Sequence, residues 1–374
     1  MKKRIVILSL TMGYGGIEKY ISSLCKIFKD KYDVHIICNY KEFEKPAFNF
    51  YNASIEYLIN NGFRSDSIKK LIKEKKIIKI IKELIKRTKI KYLEKSLMKR
   101  KIKSLDCDVV ITTRLSHNKM VNKYLKNSNI LKIATEHNSY DIEPNYDKKI
   151  CKSVSNYNYL LLVSKTQKNH YDNMFSRCIY IPNVIDDVPN KSSELSSLNL
   201  ISVGRFSPEK GFLDLIKVMN EVVKKNNKIK LYLIGDGYQK QEINKMINDL
   251  KLKDNVILPG YKSQGELQRY YLDSTLYVMT SYSESFGIVL LEAMSYGIPC
   301  IAFDSAKGAY EILSEANGVL IKDRNINKMA NSIIKLLNDQ DKLLKMQKKG
   351  LDYIRNYEIK KVSEKWFSLL DKNK

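Results

Sequence analysis

Residues Ser283–Asp304 read SESFGIVLLEAMSYGIPCIAFD. Two elements are legible in them: an apolar helical pattern over Gly287–Tyr296, then a short apolar run of strand length, Cys300–Phe303. Working outward, the same alternation recurs along the whole chain. Short apolar runs at Arg4–Leu10, Val34–Asn39, Val109–Thr112, Ile130–Thr135, Tyr159–Val163 and Cys178–Ile181 predict strands in the first half. Asn199–Gly204, Lys230–Gly235, Val256–Pro259, Leu276–Thr280, Cys300–Phe303 and Gly318–Ile321 predict them in the second. Helical patterns follow most of them, at Glu18–Phe28, Gly211–Lys224, Gln239–Leu250, Gly265–Asp273, Gly287–Tyr296 and Lys328–Asn338. Strands alternating with longer helices signal parallel α/β architecture.

Glycine divides the chain. Only Gly13, Gly15, Gly16 and Gly62 precede Gly204, whereas eleven lie from Gly204 to Gly350. The polar, turn-rich stretch Asn183–Leu198 (NVIDDVPNKSSELSSL) reads as a connection. The expected fold is α/β, with two Rossmann-like doubly wound domains facing a central cleft. These are an N-terminal domain over 1–182, a linker over 183–199 and a C-terminal domain over 200–355. A last helix over 356–374 is expected to pack back on the first domain. Ligands of such sheets bind at the carboxyl ends of the strands.

Composition narrows the classes. The 374 residues include 66 Lys+Arg against 41 Asp+Glu, a net charge of +25, and 44% are hydrophobic. That is ample material for two cores and argues against disorder. The six cysteines, Cys25, Cys38, Cys107, Cys151, Cys178 and Cys300, form no C-x-x-C pair, which argues against a zinc ribbon or a disulfide framework. Basic Met1–Arg4 ahead of apolar Ile5–Leu10 imitates a signal peptide, but the run is short and leads into a glycine turn. No segment approaches about 18 consecutive apolar residues. A cytoplasmic protein, able to lie against a membrane, is expected.

Three segments carry chemistry. Gly13-Tyr14-Gly15-Gly16 joins the first strand to its helix, where backbone amides can meet a phosphate. It is not G-x-G-x-x-G, so nicotinamide binding is poorly supported, and a structural turn remains an equal reading. Arg205 and Lys210 flank the turn after Asn199–Gly204, placed to neutralise a diphosphate by fork and by point charge. Solvated surface residues are the alternative. Glu284 and Glu292 are spaced E-x₇-E, the second inside an apolar helix where a carboxylate requires partners. Sugar hydroxyls would serve; so would a cap for Glu284 and a backbone group or lysine for Glu292.

Taken together, the segments GGIEKY (Gly15–Tyr20), EHN (Glu136–Asn138), IPNVID (Ile181–Asp186), VGRFSPEKG (Val203–Gly211), LIGDG (Leu233–Gly237), LPGY (Leu258–Tyr261) and Ser283–Asp304 resemble retaining nucleotide-sugar glycosyltransferases of GT-B fold, glycosyltransferase family 4. The resemblance covers nearly the whole chain. It implies that Gly15 and Gly16 approach the donor phosphate, and that Arg205 and Lys210 hold the diphosphate as it leaves. Glu292 would bind the ribose and Glu284 the donor sugar. The backbone of Phe286, Gly287 and Ile288 would add phosphate or sugar contacts, and His137 would sit beside the reacting centre. Tyr261 and Lys262 fall where the family meets the base. The resemblance implies a UDP-linked donor, no cofactor and no metal. Lys307 departs from the family's G-x-x-E turn, Gly308–Glu311, and has no assigned place.

The stretch Ile68–Lys103 holds 16 basic residues against Glu74, Glu83 and Glu94. Its apolar residues at 68, 71, 72, 77, 78, 81, 84 and 85 keep helical spacing, and no Gly or Pro occurs from Phe63 to Asp141. A basic amphipathic helix suits anionic headgroups at the inner membrane surface or an acceptor diphosphate, through Lys69, Lys73, Lys76, Lys79, Lys82 and Lys86. A surface helix packed by its apolar stripe is the alternative. The expected function is transfer of a sugar to a membrane-associated saccharide or polyprenyl-diphosphate-linked acceptor in bacterial surface polysaccharide assembly. The rivals are a soluble acceptor, a UDP-sugar epimerase on the same fold, and a nucleic-acid-binding protein. The last is disfavoured because the basic stretch lacks interleaved aromatic residues, so no nucleic-acid partner is expected.

Overall fold

The structure, a computed structural model, describes residues 2–60, 77–186, 188–314 and 318–372. Among them, two all-parallel sheets organise the chain. The first contains β1 (Arg4–Ser9), β2 (Asp33–Tyr40), β3 (Ser54–Ile59), β4 (Val109–Thr112), β5 (Leu131–Glu136), β6 (Tyr159–Leu162) and β7 (Cys178–Tyr180), in the order β3-β2-β1-β4-β5-β6-β7. The second contains β8 (Asn199–Val203), β9 (Lys230–Ile234), β10 (Val256–Gly260), β11 (Leu276–Met279), β12 (Cys300–Phe303) and β13 (Gly318–Ile321), in the order β10-β9-β8-β11-β12-β13. Each sheet reverses its winding once, between β1 and β4 and between β8 and β11. That switch point opens a crevice at the strand carboxyl ends.

The central strands are apolar throughout because helices cover both faces. Ile5, Ile7 and Leu8 of β1, Val110 and Ile111 of β4, and Cys300–Ala302 of β12 are buried. The strand expected at each of twelve sites is present, with ends that coincide or shift by one residue. Edge strand β3 was not expected: SIEYLI is half-buried and interrupted by Glu56, which bonds His35 and Lys101 instead of joining a core. Short helices at Leu115–Tyr124, Tyr146–Ser153, Lys165–Asp172 and Lys307–Leu313 were also absent from the sequence reading. Each spans only two or three turns, too few to build a clear 3.6-residue period.

After helix Gln340–Ile354 in the second domain, the chain returns to the first. Ile185 in the connection bridges Glu358, and helix Ile359–Asp371 sets buried Trp366 edge-on against Phe28, ring centroids 5.4 Å apart. The two domains are therefore joined at the chain end as well as at the linker.

Candidate functional site

The first domain supplies a floor of backbone. Gly15 caps helix Gly16–Phe28 without a side-chain bond. Gly16 is exposed, and a Cβ on it would meet nothing within 4 Å. Glu18, buried in the first turn, accepts from the Thr11 hydroxyl and lies 3.7 Å from the Arg114 guanidinium at the end of β4.

At the end of β5, the Glu136 carboxylate accepts the backbone N–H groups of His137 (2.9 Å) and Asn138 (2.7 Å) and the Tyr146 hydroxyl. Burial pushes Glu136 up to about 7 in spite of those bonds. The same donors fix the peptide that presents His137. The His137 ring stands edge-on to Tyr20 at 4.4 Å and pairs Nε2 with the Thr135 hydroxyl at 3.0 Å. Burial, followed by the Arg114 charge, pulls His137 down to about 3, so its imidazole is neutral at physiological pH.

The second domain supplies cations and carboxylates. Arg205 follows β8, exposed, and has no ion-pair partner among the described residues. Lys210 ends a single 3₁₀ turn, Pro208–Lys210, and its ammonium donates to Glu284, which also accepts the Ser281 hydroxyl at 2.9 Å. The loops meet closely. A Cβ on Gly211 (φ +64°) would lie 2.1 Å from the Thr280 carbonyl, so both the conformation and the approach require glycine. Arg324 braces the far side of the Glu284 loop. It donates to the carbonyls of Thr280 (2.8 Å) and Ser281 (3.1 Å), pairs with Asp214 at 2.8 Å and covers the Tyr282 ring.

Beyond Glu284 the chain turns through buried Phe286 and Gly287 (φ +85°) into helix Ile288–Ser295. Gly308 comes so near that its added Cβ would lie 2.4 Å from the Phe286 carbonyl carbon, and its N–H donates to the Glu284 carbonyl. Glu292, one turn into the helix, pairs with Lys19 of the first domain. Tyr261, after β10, meets Tyr14 of the glycine turn edge-on at 4.9 Å, and Lys262 lies 3.6 Å from Glu266.

The sequence-predicted residues thus gather on three sides. Lys210, Glu284, Phe286, Gly287, Ile288 and Glu292 line one wall through two adjoining loops and a helix, with Arg205 at the rim. His137 approaches from the other domain, where the Ser285 hydroxyl donates to its carbonyl. Gly15, Gly16 and Tyr261 converge at a third side through Tyr14. Lys79, Lys82 and Lys86 stand on helix Ile77–Lys103; Lys69, Lys73 and Lys76 lie outside the described residues.

Residues missed by the sequence reading are mostly cross-cleft partners. Lys307 donates to Asp141 at 2.6 Å and sits over the Tyr140 ring. Glu311 accepts the backbone N–H groups of Lys165 (2.8 Å) and Thr166 (2.9 Å), capping a first-domain helix from the second domain. Lys19 stood inside GGIEKY without a role. Spacing along the chain carries no signal for pairs 146 or 273 residues apart.

Residues 186–352 match the family described as Glycosyl transferases group 1. Over 230 residues the chain is 30% identical to the poly(ribitol-phosphate) alpha-N-acetylglucosaminyltransferase of Staphylococcus aureus, covering 60% of this chain and 46% of that protein. The chain therefore spans less than half of that relative's length. A mutant S. aureus TarM in complex with fondaparinux, alpha-GlcNAc-glycerol and UDP is similar at TM-score 0.65 and 26% identity, covering 74% of this chain and 58% of that one. Another TarM structure reaches TM-score 0.78 at 18% identity over 99% of both chains.

Proposed function

We propose that the chain, whose residues 186–352 match the Glycosyl transferases group 1 family and whose fold is the two-domain GT-B fold, is a retaining hexosyltransferase of family 4 using a UDP-linked sugar. Its acceptor is a membrane-associated saccharide or polyprenyl-diphosphate-linked glycan in bacterial surface polymer assembly. The UDP bound in the 26%-identical TarM complex supports the choice of nucleotide.

One observation carries the reading: Arg205 is exposed with no ion-pair partner among the described residues, while Lys210 is held by Glu284. In the reaction the bond from sugar C1 to the β-phosphate oxygen breaks, and its electron pair leaves on the diphosphate. The acceptor oxygen forms the new bond to C1 from the same face, and its proton passes to the departing phosphate oxygen. Negative charge grows on the diphosphate, so two fixed cations are worth more in the transition state than in the ground state. They take the role a divalent ion would otherwise fill, which is the basis for assigning a metal-independent reaction. Glu284 orients Lys210 and presents its carboxylate toward the donor sugar. Neutral His137 offers a hydrogen bond beside the sugar without repelling the positive charge that builds on it.

Helix Ile77–Lys103 supports the membrane-associated acceptor. Ile77, Ile78, Ile81, Leu84, Ile85 and Tyr92 form a stripe that is exposed rather than packed, and Lys79, Lys82 and Lys86 flank it. Such a face suits the headgroup boundary of an anionic bilayer, at about 1 kcal/mol per lysine. No described helix is long and apolar enough to cross a membrane. Within the helix Glu94 accepts from Asn39 and the Tyr40 hydroxyl at the carboxyl end of β2, which supports a place for the helix beside the strand ends.

The test is UDP release from UDP-sugars, with and without membranes from a polysaccharide-producing bacterium. Acceptor-dependent release of UDP is expected. Conversion of the UDP-sugar without acceptor and without UDP release would instead identify an epimerase. Sedimentation with anionic liposomes, lost in a Lys79→Gln/Lys82→Gln/Lys86→Gln variant, tests the helix; unchanged partition refutes its role.

A further inference from the structure

The pairing of Lys19 with Glu292 has no place in the roles described so far. Lys19 lies one turn into helix Gly16–Phe28, directly after the glycine turn, and its side chain crosses the cleft to the carboxylate on helix Ile288–Ser295. Both side chains are largely withdrawn from water, 21% and 18% exposed. Burial pulls the Lys19 ammonium down, but the Glu292 charge and hydrogen bond, helped by Asp186 and Tyr296, outweigh it and leave it raised.

The same helix face makes further cross-links. Ser23 donates to the Asp186 carboxylate at 3.0 Å and Lys26 to the Asp186 carbonyl at 3.0 Å. Positions 19, 23 and 26 follow the i, i+4, i+7 spacing of one helical stripe, so this stripe binds the linker and the second domain together. Lys19 is its end nearest the glycine turn. It occupies Glu292 Oε1, while Oε2 has no hydrogen-bond partner among the described residues.

We propose that Lys19 is a positioning residue for the nucleotide: by holding one oxygen of Glu292 from the opposite domain, it aims the other at a ribose hydroxyl and makes ribose recognition depend on the closed cleft. The proposal rests on the reading of Glu292 as the ribose-binding carboxylate. A carboxylate held by an ammonium keeps its charge and a single orientation, which is what recognition of a neutral diol requires. Without Lys19 the carboxylate is left largely buried, with no countercharge and free to rotate.

The test compares binding of UDP and 2′-deoxy-UDP by calorimetry in the wild type, Lys19→Met, Lys19→Arg, Glu292→Gln and the Lys19→Met/Glu292→Gln double variant. The wild type should prefer UDP by about tenfold or more, the scale of one hydrogen bond to a charged group. Lys19→Met should lose most of that preference by weakening UDP while leaving 2′-deoxy-UDP nearly unchanged. Lys19→Arg should retain it. Glu292→Gln should match Lys19→Met, and the double variant should be no worse than either. If Glu292→Gln removes the preference and Lys19→Met does not, or if the two losses add, the positioning role is refuted and the ribose reading stands. If Glu292→Gln preserves the preference, both fall. Thermal unfolding of each free protein separates these outcomes from loss of the fold.

Discussion

Replacing Lys210 by Met removes one charge from a partly buried ion pair of the site. The Lys210 and Glu284 side chains are 23% and 14% exposed, so the pair sits where solvent screens it only partly. At an effective dielectric constant of about 20, unit charges about 4 Å apart interact by about 4 kcal/mol. A diphosphate held against Lys210 gains on that scale as its charge grows. Removing a single preorganised donor to a developing oxyanion lowers kcat by about 10²–10³. The same change leaves Glu284 with the Ser281 hydroxyl as its remaining partner, at a cost of about 1–3 kcal/mol in stability. The double variant Lys210→Met/Glu284→Gln should recover most of the stability, because the orphaned charge is gone, and none of the activity. The assay is UDP release at saturating donor, with urea unfolding of the same preparations. A Lys210→Met enzyme whose kcat stays within about tenfold of wild type, whatever its stability, would refute the reasoning.

Three further outcomes follow from the geometry. His137, lowered to about 3 by burial and Arg114, should show no imidazole titration between pH 5 and 8 in ¹⁵N NMR; a midpoint near 6.5 contradicts its buried setting. Glu136 has a folded pKa of about 7 against an ordinary 4.5, so its contribution to stability is fully present below 4.5 and is lost as the pH rises through 7. The loss amounts to about 3 kcal/mol, and Glu136→Gln should flatten that part of the curve in urea unfolding at pH 4.5–8. Gly211→Ala should destabilise by more than about 1 kcal/mol and lower turnover, since its Cβ would collide with the Thr280 carbonyl behind the Glu284 loop; unchanged melting and activity would show that the loops are not locked together.

Much of the fold was legible because parallel strands are short, apolar and bounded by turns. β4, β12 and β13 begin and end where their apolar runs do. The edge strand β3 escaped because its exposed half carries Glu56, and the two- and three-turn helices escaped because they lack a long apolar face. At the candidate site, the motif residues on the second domain are neighbours in the chain or joined by adjacent loops, so Lys210, Glu284 and Glu292 could be grouped from spacing and family resemblance. The cleft itself was not legible. Lys19, Ser285, Lys307 and Glu311 act across a gap that forms only when two separately folded sheets meet, and no local pattern encodes a partner on another domain. The basic helix shows the converse. Its composition was plain in the sequence, but only the structure shows that Ile77, Ile81 and Ile85 are exposed.

The central claim is that the cleft holds a nucleoside diphosphate between Arg205 and Glu292. The most direct measurement is thermal unfolding of the wild type and of Arg205→Ala against a panel of UDP-, GDP- and ADP-sugars. A ligand at about 100 times its Kd adds about 2.7 kcal/mol to the folded state. UDP-sugars should raise the midpoint of the wild type clearly and that of Arg205→Ala little or not at all. A wild type that no nucleotide sugar stabilises, or an Arg205→Ala variant stabilised equally, would contradict the account.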